Sequence, residues 1–266
     1  MLTCFEYPSI IERDLFEYDF SDFSNLNVLV APWCSLYTHN KLDLISDFGV
    51  FDATFCKSSL HNKPELANAI AKLGIKFVFT PNAEKGQNYP FLTIPYIDYA
   101  KPIENKAKSY TYCFVGWDCH PVRSAIFSVL SGSSVIKRER FHYNSRNKEK
   151  EEQEYMDILA QSTFSLCPRG KAPSSMRFWE SLRAGSIPIL ISDNVILPEY
   201  DWNSCIFRLS EKQVLDNPSI INQAWWQINK QQRREMSKNC IKAYNHFFSL
   251  PSLYSYINTK LSEHCR

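Results

Sequence analysis

With 266 residues, 44% of them apolar and 14% aromatic, the chain is long enough for one large or two small domains and too apolar for disorder. Thirty basic and twenty-eight acidic residues leave a net charge of +2, which excludes a global field that would recruit nucleic acid or an anionic membrane. Nine cysteines with no C-x-x-C pair argue against a disulfide framework or zinc ribbon and for reduced, mostly buried thiols.

The opening stretch MLTCFEYPSIIERDLFEYDF carries acids and aromatics where a secretory leader needs a basic segment followed by an apolar run. No apolar run reaches the roughly 18 residues of a membrane span, so the expectation is a soluble, cytoplasmic protein that meets any membrane-bound acceptor peripherally. Short apolar runs then alternate with segments of helical period, the pattern of an α/β protein with a largely parallel sheet. NVLVAPW (27–33) predicts a buried strand, PELANAIAKLG (64–74) a helix opened by Pro64 and stopped at Gly74, and IKFVFTP (75–81) a strand. IDYAKPIENKAKS (97–109) is polar, lysine-rich and broken by Pro102, which makes it the candidate linker.

A second series follows. YTYCFVGW (110–117) predicts a strand and PVRSAIFSVL (121–130) a helix. SRNKEKEEQEYMDILAQ (145–161) predicts a charged helix with Tyr155, Ile158 and Leu159 on one buried stripe, its charge run reading as a solvated face. TFSLCP (163–168), SSMRFWESLRAG (174–185) and IPILIS (187–192) predict strand, helix and strand, and from about residue 212 onward the tail reads as helical. The elements group into a Rossmann-like domain over 1–105, a second over 106–245, and a helical tail over 246–266 that can pack back on the first.

In an open α/β sheet, ligands sit beyond the carboxyl ends of the strands, where helix N-termini offer free N–H groups to anions. The stretch STFSLCPRGKAPSSMRFWESLRAGSIPILISD (162–193) places Arg169 just past a strand and Arg177 in the first turn of a helix for which Ser174 or Ser175 is the expected N-cap. Both arginines can converge on a diphosphate, and Glu180, one turn on, can accept bonds from a ribose diol. On spacing alone, Arg177 and Glu180 also fit the ordinary reading, an exposed ion pair worth about 0.2–0.5 kcal/mol. Neither a Walker A loop nor a G-x-G-x-x-G is present.

The segments SLCPRG, SSMRFWESLRAGSIPILISD and ILPEYDW, with CFVGWDCHPVRSAIF upstream, resemble the exostosin family of glycosyltransferases, glycosyltransferase family 47. The resemblance covers residues 110–205. It implies a GT-B fold of two Rossmann-like domains facing across a cleft, the N-terminal one trimmed, with inverting transfer from a nucleotide-sugar donor to a glycan or glycoconjugate acceptor. By position, Arg123, Arg169 and Arg177 would face the diphosphate and Glu180 the ribose, while Gly116 would permit close approach. Gly170, Lys171, Ser174 and Ser175 would complete the donor site. Where the family often carries a basic pair directly after P-R-G, this chain has Lys171 and then Ala172. A UDP-sugar is the expected donor, with glucuronic acid, galactose, xylose and arabinose all open as the sugar.

Inverting transfer needs a base for the acceptor hydroxyl and a stabilised leaving diphosphate. Arginines and a helix start can meet the second need, and no D-x-D motif of metal-dependent transferases is present, so neither a metal nor another cofactor is expected. His39 and Asp43, after the first predicted strand, are the candidate bases, with Asp52, Glu65, Asp118 and His120 behind them. Trp225 and Trp226 read as core packing, and Cys113, Cys119 and His120 lack the fourth ligand of a metal site. The rival from another class is a noncatalytic nucleotide- or glycan-binding module on the same scaffold.

Overall fold

Apolar runs too short for helices become the strands of two parallel sheets in this computed structural model, which describes residues 2–4, 27–45, 49–56, 63–86, 91–94, 103, 106–139, 148–223, 228–248 and 250–264. The chain divides into two units, one of residues 1–95, 194–198 and 255–266, the other of residues 96–193 and 199–254.

The first unit carries a five-stranded sheet in the order β1 (Leu2–Cys4), β2 (Val28–Val30), β3 (Ala53–Phe55), β4 (Phe77–Thr80), β5 (Phe91–Thr93), every neighbouring pair parallel. Leu29, Trp33, Leu36, Ile45, Leu66, Ile70 and Val78 form its core. The polar groups inside it are satisfied: Trp33 Nε1 donates to Thr54 Oγ1 at 2.8 Å, and that hydroxyl donates to the Leu29 carbonyl at 2.6 Å. After β2 the chain forms helix α1 (Trp33–Thr38), anchored by the fully buried Trp33, where the predicted strand ran on to residue 33, and α2 (Pro64–Lys72) follows β3. Tyr256, on the C-terminal helix, donates to the Thr93 carbonyl at 2.8 Å within this unit.

The second unit carries a five-stranded sheet in the order β10-β9-β8-β6-β7, again parallel throughout. Its strands are β6 (Tyr110–Trp117), β7 (Val135–Arg138), β8 (Ser162–Pro168), β9 (Ile187–Ile191) and β10 (Phe207–Leu209). All of β9 and nearly all of β8 is buried, as expected of central parallel strands covered on both faces. Helix α3 (Pro121–Val129) joins β6 to β7, α4 (Lys148–Ala160) joins β7 to β8, and α5 (Met176–Arg183) joins β8 to β9. Helices α6 (Glu211–Asp216), α7 (Ile220–Gln223), α8 (Lys230–Phe248) and α9 (Leu250–His264) complete the chain. An aromatic cluster of Phe178, Trp179, Trp202 and Phe247 locks α8 onto α5, with Trp202 and Phe247 stacked at 5.6 Å.

Strand order makes this second sheet directional. The chain runs from β6 outward to β7, then returns past β6 to β8 and continues to β10, so the order reverses between β6 and β8. Helices on either side of that point cover opposite faces, leaving a crevice at the carboxyl ends. The α/β class with two Rossmann-like, parallel-sheet units is therefore present. Most of the candidate linker lies outside the described residues, but its last part belongs to the second unit. There Lys106 pairs with Asp157 at 2.7 Å, and Lys108 donates to the carbonyls of Ala160 and Ala184 at the ends of α4 and α5. Among the described residues no helix is long and apolar enough to cross a membrane.

Candidate functional site

The site begins where two strands part. β6 pairs with β8 from Tyr110 to Cys113, then with β7 from Phe114 to Trp117. Past Cys113, the side of β6 that faces β8 no longer has a ladder, and backbone carbonyls there need other donors. Two arginines provide them. Arg123, from α3, donates Nε to the Arg169 carbonyl at 2.8 Å, Nη1 to the Trp117 carbonyl at 3.0 Å and Nη2 to the Pro168 carbonyl at 3.4 Å. Arg177, from the first turn of α5, donates Nη2 to the Val115 carbonyl.

Two glycines make this possible. A Cβ placed on Gly116 would meet Arg177 Nη2 at 2.9 Å and Arg123 Nη1 at 3.6 Å, and one on Gly170 would meet Arg123 Nη2 at 3.1 Å. The close approach that Gly116 permits is thus made, in this structure, by the protein's own guanidinium groups. Burial, together with the charge of Arg177, pushes the Arg123 guanidinium down to about 10. Phe114 offers its ring face to both cations, 4.7 Å from the Arg177 guanidinium carbon and 5.8 Å from that of Arg123. Among the described residues Nε and Nη1 of Arg177 are buried and have no hydrogen-bond partner, a costly arrangement.

A cavity of about 400 Å³ opens beside them, lined by Gly116, Trp117, Arg123, Gly170, Lys171, Ser174, Ser175, Arg177 and Glu180 among others. Its volume falls within the roughly 300–1,000 Å³ of small-molecule sites. Ser175 stands at the N-cap of α5 but makes no capping bond with its side chain, so first-turn N–H groups remain for another acceptor. The Lys171 ammonium lies 5.2 Å over the Trp117 ring at the cavity wall. Glu180 accepts a 2.6 Å bond from the Tyr155 hydroxyl, so the exposed Arg177–Glu180 pair allowed by spacing is not what forms.

Of the predicted donor residues, Arg169 is placed elsewhere. Its Nη1 lies 3.6 Å from Glu211 and its side chain does not line the cavity; the Glu211 carboxylate is itself fixed by the Asp193 N–H, while the Glu211 N–H donates to the Asp193 carboxylate. The charge run of α4 also needs correcting. Glu151, Glu152, Tyr155 and Met156 line the cavity, and Arg138 at the end of β7 joins them, 3.7 Å from Glu151 and 2.7 Å from Glu154. The helix thus forms a wall of the site as well as a solvated face. Sequence reasoning missed Arg138 and Glu151, which stand in no motif. Tyr155 gave a signal, since a tyrosine on a buried stripe must find a partner for its hydroxyl.

The candidate bases divide by environment. His39 caps the far end of α1, and its Nδ1 lies 2.8 Å from the Ser35 carbonyl, which can only accept, so Nδ1 carries the proton and Nε2 is the acceptor nitrogen. Asp43 sits exposed in a 3-10 turn (Leu42–Ile45). Asp52 is held below the usual carboxylate range by the Asn27 amide and Lys76, and Asp118 by Lys137 and Ser124, which makes both weak bases. His120 is tied up as the N-cap of α3, and burial together with the charge of Arg169 lowers it further. Glu65 lies in the first turn of α2. Trp225 and Trp226 lie outside the described residues. Among the described residues no group of three or more His, Cys, Asp or Glu side chains could hold a metal ion.

The chain thus has a mixed α/β fold of two parallel-sheet units, the second with a cavity at its switch point. Residues 67–224 match the exostosin GT47 domain, over more than half of the sequence, and the chain belongs to that family. It is similar to an exostosin-1 homolog of Caenorhabditis elegans, 40% identical over 101 residues that make up 37% of this chain and 26% of that protein. It is also similar to exostosin-1c of Danio rerio, 41% identical over 114 residues, or 37% of this chain and 16% of the relative. The matches therefore span about a quarter or less of those relatives' own length. Among solved structures, the Anabaena protein HepE in complex with UDP-glucose aligns over 98% of both chains, with 10% identity and a TM-score of 0.44. The pneumococcal O-GlcNAc transferase GtfA in complex with UDP and GlcNAc aligns over 94% of this chain and 60% of its own, with 12% identity and a TM-score of 0.40.

Proposed function

We propose that the chain is a glycosyltransferase module whose second unit binds a nucleotide-sugar donor, with UDP as the nucleotide, for inverting transfer to a hydroxyl of a glycan. The observation that carries this reading is the pair of guanidinium groups over Gly116, one with two buried nitrogens lacking partners, beside a cavity that also receives the uncapped start of α5. A diphosphate supplies what that ledge lacks: acceptors for the orphaned donors and negative charge between two cations. In the reaction, the same groups would stabilise the negative charge that builds on the departing diphosphate as the glycosidic bond breaks.

Glu180 would take the ribose hydroxyls, with Lys171 above Trp117 and Ser174 and Ser175 at the helix start in reach of phosphate oxygens. Arg123 holds the ends of β6 and β8 in place and adds charge. Arg169, paired with Glu211, contributes through its backbone carbonyl, which anchors Arg123. The base is proposed as His39, through Nε2, with Asp43 as the second candidate. No metal is invoked, because two arginines and a helix start already provide the positive charge that the leaving group requires.

The test is incubation with a panel of UDP-, GDP- and CMP-sugars in excess EDTA, following nucleotide release. Slow hydrolysis of a UDP-sugar that EDTA does not diminish is the expected result. Binding without release would favour a noncatalytic module, and release abolished by EDTA would remove the metal-free mechanism.

A further inference from the structure

Tyr155 stands apart from every motif in the sequence, yet it meets two of the charged groups of the proposed donor site, Glu180 and Arg177. Its hydroxyl donates to Glu180 Oε2 at 2.6 Å, and its ring centroid lies 5.8 Å from the Arg177 guanidinium carbon. We propose that Tyr155 is the positioning residue that sets the Glu180 carboxylate for a ribose diol and thereby makes the site discriminate ribonucleotides from deoxyribonucleotides. The inference rests on the donor-site reading above and extends it to sugar-ring selectivity.

A carboxylate presents about four lone-pair directions and turns freely about its last bond, so by itself it gives a diol no fixed target. A bond at Oε2 from a donor on a different helix fixes that rotation and keeps acceptor capacity for a vicinal diol, which needs two acceptor directions at a set spacing. Tyr155 is suited to this task because it cannot drift. Its helix is tied by Lys106 to Asp157, by Lys108 to the Ala160 carbonyl, and by Arg138 to Glu151 and Glu154, with Ile158 and Leu159 buried one turn on. Burial and the Glu180 charge push the Tyr155 phenol well above its ordinary range, so it remains a donor at any working pH. Glu180 and Tyr155 both line the cavity, as does Arg177, whose guanidinium carbon lies 4.7 Å from the Phe114 ring and 5.8 Å from the Tyr155 ring. One side chain thus sets the spacing between the groups assigned to ribose and to phosphate.

Isothermal titration with UDP and with 2′-deoxy-UDP tests this in the wild type, in Tyr155→Phe and in Glu180→Ala. The wild type is expected to prefer UDP by about tenfold, the worth of one hydrogen bond to a charged group. Tyr155→Phe should bring that preference close to one while leaving 2′-deoxy-UDP affinity within about twofold, and it should add nothing in the Glu180→Ala background. A purely structural tyrosine would weaken both ligands alike. If Tyr155→Phe keeps the wild-type preference, the positioning role falls while the donor site stands, whereas a wild type that binds neither nucleotide overturns both. Tyr155→Met, which also lacks the hydroxyl, takes the place of the phenylalanine variant if that one does not fold, and the same outcomes decide.

Discussion

Arg123 and Arg177 reach the same point of the sheet from different helices, with one guanidinium nitrogen of each within 3.6 Å of where a Gly116 side chain would begin. Their donors are used differently. Three nitrogens of Arg123 bond carbonyls at the ends of β6 and β8, while Arg177 bonds one carbonyl and keeps two buried nitrogens without partners. The first arginine is a strut; on the proposed function the second would bind the ligand, and this difference predicts separable phenotypes.

Arg177→Ala should lower kcat/KM by at least about two decades, on the order of 3 kcal/mol of transition-state stabilisation, with a smaller loss of melting temperature than Arg123→Met because one carbonyl rather than three loses its donor. Arg177→Lys should recover only part of this, because an ammonium cannot hold the Val115 carbonyl and a phosphate in the same planar fork. Steady-state kinetics beside a thermal melt checks both.

Arg123→Met should show the opposite pattern. Removing the strut leaves the carbonyls of Trp117, Pro168 and Arg169 without this donor, at a cost of about 2–4 kcal/mol. Denaturant unfolding of the variant should show that loss in the absence of any ligand.

Gly116→Ala tests the close approach directly. The added methyl would sit 2.9 Å from Arg177 Nη2, the far end of a flexible side chain, so the backbone can stay and the guanidinium must move. The expected outcome is a folded protein with UDP affinity reduced by about tenfold or more, read by titration.

The acid limb of stability should report Asp118. Lys137 and Ser124 lower its folded value below the ordinary 3.8, so its contribution is complete above that pH and is lost as pH falls through the lowered value. Thermal melts of the wild type and Asp118→Asn should therefore differ at neutral pH, converge under acid, and differ less in high salt because Lys137 is largely exposed.

How much of this was legible in the sequence depends on range. The strands with long apolar runs, β6, β8 and β9, and the helices opened by Pro64 and Pro121 follow from local pattern. Strands β2 and β4, three and four residues long, lie in apolar runs that local pattern marks, whereas the equally short β3, β5, β7 and β10 stand in no such run and are defined by pairing with a neighbouring strand. The site divides along the same line. Gly116, Arg123, Gly170, Lys171, Ser174, Ser175, Arg177 and Glu180 stand in motifs and line one cavity. Arg169 stands in a motif too, but Glu211, forty-two residues on, lies beside its guanidinium. Tyr155 reaches the cavity from α4 and Arg138 from the end of β7, which spacing along the chain does not reveal.

The central claim is that the Arg177 guanidinium holds the diphosphate, and titration of uridine against UDP, in the wild type and in Arg177→Ala, tests it most directly. The account predicts that the diphosphate raises wild-type affinity by about a hundredfold over uridine, as two or more charge-assisted bonds would, and that most of this gain vanishes in the variant while uridine binds as before. An undiminished gain in Arg177→Ala would contradict it.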